Sequence, residues 1–480
     1  MIASLLLLLG CATERVAVPE EAAEPPAAAP SERPADVLLV VLDTVRADAV
    51  GAYGYERATT THFDRLASRG VLFEDVTVSG TWSWPSHASM FTGEPPWVHG
   101  AHFAGGGEGG FQTDNGDGTI TAMDPALPTL AERFTEAGYR TVCVTGNHWL
   151  KRGMGLDRGF EQVIQAEQGE RVTDHAREVI LGDDPRPLFL VVNLFDVHAP
   201  FEIRGAPWLR GRPELTRAGA PSWLAPYITR DERKVNLYSG EGDINGMVAY
   251  SVGELSIPPE GLALLRDVYD GEVWHIDQLL GRVLKQWRTR PRRVVAVTSD
   301  HGEFLGERGR LDHGRGVHPE VSAVPLVVVA PQRFSGGERV GTPVQLEALP
   351  DTLLELAGLR EPGVGPRSLV AVAGGGPGPA TIQAASWADA MWAREIGPPF
   401  HLGERLYRVG DEAVVIRGDK VSYYRLGEDP GMTRDVSAAH PERAAELAAA
   451  AASAFPEAAV DALELSGEDA EALRALGYIE

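Results

Sequence analysis

The sequence predicts an α/β fold: a large mixed, mostly parallel sheet sandwiched by helices, followed by a smaller C-terminal α+β domain. Three observations carry this reading. Two apolar runs, Val37–Leu42 and Val294–Val297, show none of the polar alternation of a half-solvated strand and read as buried parallel strands. A stretch of helical period, Pro259–Arg290, places Leu262, Leu265, Val268, Val273, Ile276, Leu279, Leu280 and Val283 on one face and feeds the second of those strands. That helix-then-strand order belongs to α/β architecture. Beyond the Gly374–Pro379 break, Arg405–Val409, Ala413–Arg417 and Lys420–Arg425 alternate like short antiparallel strands, and Pro441–Ala454 reads as a helix.

Taken in order, the chain divides into four parts. Residues 1–11 hold an apolar run shorter than the ~20 residues a membrane-spanning helix needs. They look like the end of a bacterial lipoprotein signal peptide, with Leu8-Leu9-Gly10-Cys11 as lipobox and Cys11 as the lipidated residue. The expectation is a lipid-anchored protein of the bacterial cell envelope, periplasmic or extracytoplasmic, touching the membrane through that anchor alone. Residues 12–35, rich in Ala, Pro and Glu, have little to bury and form a tether. Residues 36–373 make the catalytic domain and 374–480 the smaller subdomain. Cys143, within the strand Tyr139–Val144, is the one other cysteine, so no disulfide is available to the mature chain and it reads as a core residue.

At 480 residues the chain can bury a substantial core, and its net charge of −24 excludes general nucleic-acid affinity. A polyanionic substrate would need local clustering of Arg or His against that field. The Gly-rich Ala104–Thr119 segment contains Asp114-Asn-Gly-Asp-Gly118, which lacks the full twelve-residue calcium-loop pattern and reads as tight turns.

The chemistry concentrates in a few segments. Asp43 follows the first strand and Asp300-His301 follows the later one, each at a carboxyl end, where open α/β sheets place ligands. In Gly80–Gly93, Pro85 favours the first turn of a helix through Ser86–Phe91, and Gly93 suits a left-handed cap. Ser83 then stands beside a helix N-terminus, a natural anion site. Each acid alone could be a cap or loop residue. Together, Asp43, Asp300, His301 and the Ser83 hydroxyl make a four-ligand set for a divalent cation, which would polarise an ester oxygen and help deprotonate the serine. After the strand Pro187–Leu194, His198 in Asp196-Val-His198-Ala-Pro200 is either a proton donor to a leaving group or a turn-capping histidine.

These segments resemble the sulfatase family of the alkaline-phosphatase superfamily, over roughly residues 36–480. In that family a Cys or Ser followed by x-Pro-Ser-Arg, with Thr-Gly downstream, carries the nucleophile; Ser83-Trp84-Pro85-Ser86-His87 and Thr92-Gly93 take that place. His87 replaces the Arg that belongs to the signal for conversion to formylglycine. The chain is therefore more similar to a Ser/Thr-x-Pro-Ser-His branch, and an unmodified Ser83 is expected over formylglycine. Asp43 matches the first of two adjacent metal-binding acids, with Thr44 in place of the second, and Asp300-His301 matches the later pair. The resemblance implies an alkaline-phosphatase-like sheet and one divalent metal: calcium, manganese, magnesium or zinc. It implies Ser83, His198 and His313 as catalytic residues, and His87, Asn147, His148, Arg315 and His318 as substrate-binding residues. Sulfatases commonly hold the anion with lysines at two places; here no lysine precedes His148, although Lys151 follows it, and none occurs in Arg310–Glu320. The implied activity is hydrolysis of sulfate esters of a small molecule or glycan. The alternatives are a phosphodiesterase or phosphoryl transferase of the superfamily, acting on a phosphorylated substrate, and a non-catalytic surface binding protein.

Overall fold

The apolar runs become the inner strands of an eight-stranded sheet in a computed structural model, which describes residues 33–103, 120–230, 233–237, 245–361, 367–387 and 402–456. In space the strands run Glu338–Val340, Val71–Phe73, Leu326–Val329, Arg293–Thr298, Asp36–Leu42, Leu188–Leu194, Arg140–Thr145, Gln162–Gln165. Seven of these eight point one way, and Leu326–Val329 is antiparallel to both neighbours. The central strand Asp36–Leu42 is parallel to both of its neighbours, and Val41 is level with Asn193 on one side and Thr298 on the other. That register brings the residues after three strands to one edge of the sheet.

The pleat explains the unbroken apolar sequence. Val37, Leu39 and Val41 enter one core; Leu38, Val40 and Leu42 enter the other. The first core is closed by helices Ser83–Thr92, Leu130–Glu136 and Leu349–Ala357, the second by Gly169–Leu181 and Pro259–Trp287. Full burial of such a Val or Leu contributes about 1.5–3 kcal/mol, so neither face tolerates a polar substitution.

The long helix ends at Trp287 and carries three inward acids, each with a partner. Asp277 accepts from the backbone N–H groups of His62 and Phe63, both at 2.9 Å, and so caps helix Thr61–Ala67 from outside, because Thr60 gives no side-chain cap. Asp270 pairs with Arg57 at 2.6 Å and Arg266 at 2.9 Å, and Glu272 with Arg204 at 2.8 Å.

The C-terminal sheet has four antiparallel strands, Ile382–Ser386, Glu404–Val409, Glu412–Arg417 and Lys420–Arg425. Helix Pro441–Ala452 packs on it through Ala444, Leu447 and Ala451. Strand Ile382–Ser386 lies outside the sequence expectation. Its Ala385 donates to Ser79 O at 2.8 Å, tying this sheet to the segment that leads into Ser83. The described residues from Arg33 onward accordingly form one compact unit. Cys11, the signal, nearly all of the tether, the Ala104–Thr119 loop and the terminal Leu473–Glu480 lie outside the described residues. No described helix is long and apolar enough to cross a membrane.

Candidate active site

Two strand ends are laced together at the sheet's carboxyl edge. After Asp43 the chain turns at Thr44, whose φ of 56° is left-handed, and the Thr44 N–H donates to Asp300 Oδ1 at 3.2 Å. Val45 N–H donates to Ser299 Oγ at 2.9 Å. Tyr269, on the long helix, clasps the same turn: its hydroxyl donates to Thr44 O at 2.8 Å and accepts from Arg46 N at 2.9 Å. The serine enters from the other core. Helix Ser83–Thr92 begins with Ser83 itself, after an extended Trp82, and ends at Gly93 with φ 78°. It is longer than the sequence reading by Ser83–Pro85 at one end and Thr92 at the other, and every residue in it is buried.

Asn147 joins the pieces. One amide nitrogen donates to Asp43 Oδ2 at 2.7 Å and to Ser83 Oγ at 2.9 Å, while its Oδ1 accepts from Trp149 N at 2.9 Å and so fixes which way the amide faces. Asn193 adds a second donor to Asp43 Oδ2 at 3.2 Å. His301 donates through Nδ1 to Gly302 O at 2.9 Å, which leaves Nε2 unprotonated, 3.5 Å from Ser83 Oγ and 3.4 Å from Asp300 Oδ2. His87 donates through Nδ1 to Ser83 O at 2.9 Å, with Asp300 Oδ2 3.5 Å away.

Ligand atoms of Asp43, His87 and Asp300 lie within 4.8 Å of one another. Asp43 Oδ1 and Asp300 Oδ2 are buried with no hydrogen-bond partner among the described residues. Burial, then the nearby Asp300 charge, pushes Asp43 up to about 8; burial pushes Asp300 up to about 6. Unpartnered carboxylate oxygens in a dry site cost well over 1 kcal/mol each. A divalent cation with oxygen and imidazole ligands fits this donor set.

Three imidazoles wall the other side. The rings of His301 and His313 are 4.3 Å apart between centroids, and those of His198 and His313 4.9 Å. His313 Nδ1 lies 3.3 Å from Glu303 Oε2 and 3.2 Å from Asp312 Oδ1. Burial opposes its charge, but those two carboxylates override it and raise His313 to about 9. Burial, then the His313 charge, lowers His198 to about 3. One protonated ring therefore stands beside two neutral ones.

Four residues sit elsewhere than the sequence reading put them. His87 lies behind Ser83 and faces the acids, so it belongs with the metal-binding group instead of a substrate wall. His148 leaves the cluster to line a separate cavity of about 740 Å³ with Lys151, Gln168, Arg171 and His175. Arg315 donates to Asp312 Oδ2 at 3.2 Å, and His318 Nδ1 lies 3.4 Å from Glu404 Oε2 on the C-terminal sheet. Their loop is pinned between the two sheets, Gly314 N to Thr81 O at 2.9 Å and Gly316 N to Ser386 Oγ at 3.1 Å, and Glu404 draws His318 outward. Asn193, Glu303 and Asp312 escaped the sequence reading as site residues. The signal for Asn193 was a lone amide in the apolar strand Leu188–Leu194.

A family model for sulfatases matches residues 35–359, which hold every residue of this site. The chain belongs to the sulfatase family. It is 30% identical to the Delta 4,5-hexuronate-2-O-sulfatase of Bacteroides thetaiotaomicron over 28% of this chain and 25% of that relative, about a quarter of its length. With the N-acetylglucosamine-6-O-sulfatase of the same organism it shares 23% identity over 69% of each. Among solved structures, the phosphonate monoester hydrolase of Agrobacterium radiobacter superposes with a TM-score of 0.63 at 21% identity, covering 91% of this chain and 99% of the other. A protein solved with its substrate D-glucosamine-2-N,6-O-disulfate gives 0.63 at 17%, covering 88% and 97%. At these identities the structural likeness speaks for the fold alone.

Proposed function

We propose that this sulfatase hydrolyses sulfate esters with Ser83, unmodified, as its nucleophile. The observation that carries the reading is the position of Ser83 Oγ, at a helix N-terminus, 2.9 Å from the Asn147 amide and 3.5 Å from His301 Nε2, against two buried acids. Asp43, His87 and Asp300 would hold a divalent cation, with Ser83 Oγ and His301 beside it. When bound, the cation lowers the cost of the serine alkoxide and draws charge from the ester oxygens.

The chain's own residues do the rest. Asn147 donates to Ser83 Oγ and keeps a lone pair directed at the incoming ester. As Ser83 Oγ attacks it gives its proton to His301 Nε2, 3.5 Å away; the Oγ–sulfur bond forms, and the bond from sulfur to the ester oxygen breaks, that oxygen taking a proton from His313. Glu303 and Asp312 hold His313 as the cation, and its charge also attracts the anion. Water then cleaves the sulfated serine and releases sulfate. The named relatives act on sulfated sugars, which favours a saccharide leaving group.

A second reading, hydrolysis of phosphate esters, is favoured by the plain serine, since a sulfated serine lacks the elimination route of formylglycine. Intact nucleophile and acids speak against a non-catalytic binding protein. A panel of sulfate, phosphate and phosphonate esters with Ser83→Ala tests the proposal: all turnover should vanish. Undiminished hydrolysis, or a mass of the 80–93 peptide showing Ser83 two hydrogens light, overturns the nucleophile or its chemical state.

A further inference from the structure

At the far end of the serine helix lies a cleft of about 500 Å³ that the catalytic reading does not use, within the roughly 300–1,000 Å³ of small-molecule sites. Its walls are mostly apolar, among them Pro95, Trp97, Leu369, Val372 and Pro379. Glu347 also lines it. This glutamate is 5% exposed, and neither carboxylate oxygen has a hydrogen-bond partner among the described residues.

Nearby donors are committed elsewhere. Arg367 lines the same cleft, yet its guanidinium donates to Gly93 O and to Glu94 Oε2, the latter at 3.1 Å. The Gln345 amide donates to Ser79 Oγ at 3.1 Å and Gln383 O at 2.7 Å. A buried carboxylate accepts through two oxygens and is costly unmatched. In an apolar cleft its complement is a cationic donor carrying hydrocarbon.

We propose that this cleft binds a small organic ammonium ion, a primary amine with an apolar body, whose N–H groups donate to Glu347. The site is separate from the catalytic centre. Glu347 precedes helix Leu349–Ala357 and lies against Gly93, ten residues from Ser83 along the helix, or roughly 15 Å.

Calorimetric titration of the full chain with benzylamine and benzyl alcohol tests this at pH 8.5, above the value of about 7 to which burial pushes Glu347. Benzylamine should bind saturably, and benzyl alcohol at least tenfold more weakly. Glu347→Gln, a neutral isostere whose fold thermal unfolding verifies, should weaken benzylamine at least tenfold. Ala371→Trp, at an exposed position on the rim, should block it by filling the cleft. Absence of saturable amine binding, equal affinity for the alcohol, or wild-type affinity in Glu347→Gln overturns the proposal.

Discussion

Replacing Asn147 by Leu removes the amide that donates to both Asp43 and Ser83, while keeping a similarly branched side chain. The structure sets the magnitude. The amide gives a hydrogen bond to the Asp43 carboxylate at 2.7 Å and one to the Ser83 hydroxyl at 2.9 Å. A bond to a charged acceptor contributes about 1.5–3 kcal/mol and a neutral one about 1 kcal/mol. The Asp43 bond exists before and during reaction, so its loss falls mainly on stability and metal affinity. The Ser83 bond strengthens as Oγ gains negative charge, roughly doubling to about 2 kcal/mol, so the transition state loses about 1 kcal/mol more than the ground state. At 1.36 kcal/mol per factor of ten, kcat should fall about fivefold. KM should stay within about twofold, because the amide is directed at the enzyme's own oxygens. Asn147→Asp keeps the shape but sets a third carboxylate beside Asp43, and should fall further. Steady-state kinetics at saturating metal, with urea unfolding of each variant, decides the matter. A folded Asn147→Leu enzyme with wild-type kcat would refute the bridging role.

Three further outcomes are expected. Asp300→Asn should abolish turnover and metal retention together, as should chelation of the wild type; activity surviving exhaustive dialysis against a chelator counts against the cation. Glu347, raised to about 7 in the folded state from 4.5, binds a proton that the unfolded chain has already lost in that window, so its contribution to stability falls as pH rises from 4.5 to 7. That shift corresponds to at most about 3 kcal/mol; in thermal melts Glu347→Gln should gain on the wild type between pH 5 and pH 8, and a pH-independent difference would rule the effect out. Cys11→Ser should move the protein from the membrane to the soluble fraction, since a lipid chain and the Ala/Pro tether are the attachment the sequence offers; unchanged membrane association would dismiss the lipobox.

What the sequence makes legible follows from how each residue acts. Asp43 and Asp300 close apolar strands, and strand direction alone delivers them to one edge, so local pattern suffices. Ser83 is readable because Pro85 and Gly93 mark both ends of its helix. His87 misled because its partner atom, Ser83 O, lies one helical turn back, which turns the ring inward; a motif read as a line of letters does not show that turn. Strand Ile382–Ser386 follows a Gly/Pro-rich break and pairs with Glu404–Val409 across intervening sequence, so its short apolar run carries no local sign of a partner. Glu303 and Asp312 gain meaning only through His313, and His318 is claimed by Glu404, 86 residues on in sequence. Pairings set by tertiary contact stay hidden from periodicity.

A chain of net charge −24 that attacks an anionic ester must still present positive charge where the ester sits. Asp43 and Asp300 make this harder: with ligand atoms within 4.8 Å and an effective dielectric of about 20, two carboxylates repel by roughly 3.5 kcal/mol or more. A divalent cation held there would balance those two charges and leave their site neutral. The attraction for the anion then comes from the helix end at Ser83 and from the His313 imidazolium. Glu303 and Asp312 fix the position of that charge, but their own charges draw on the same field. On the proposed reading the cation and the histidine would carry separate duties, one cancelling the acids beside Ser83, the other meeting the substrate. Loss of the cation should therefore silence the serine, whereas loss of His313 should weaken binding and leaving-group protonation together.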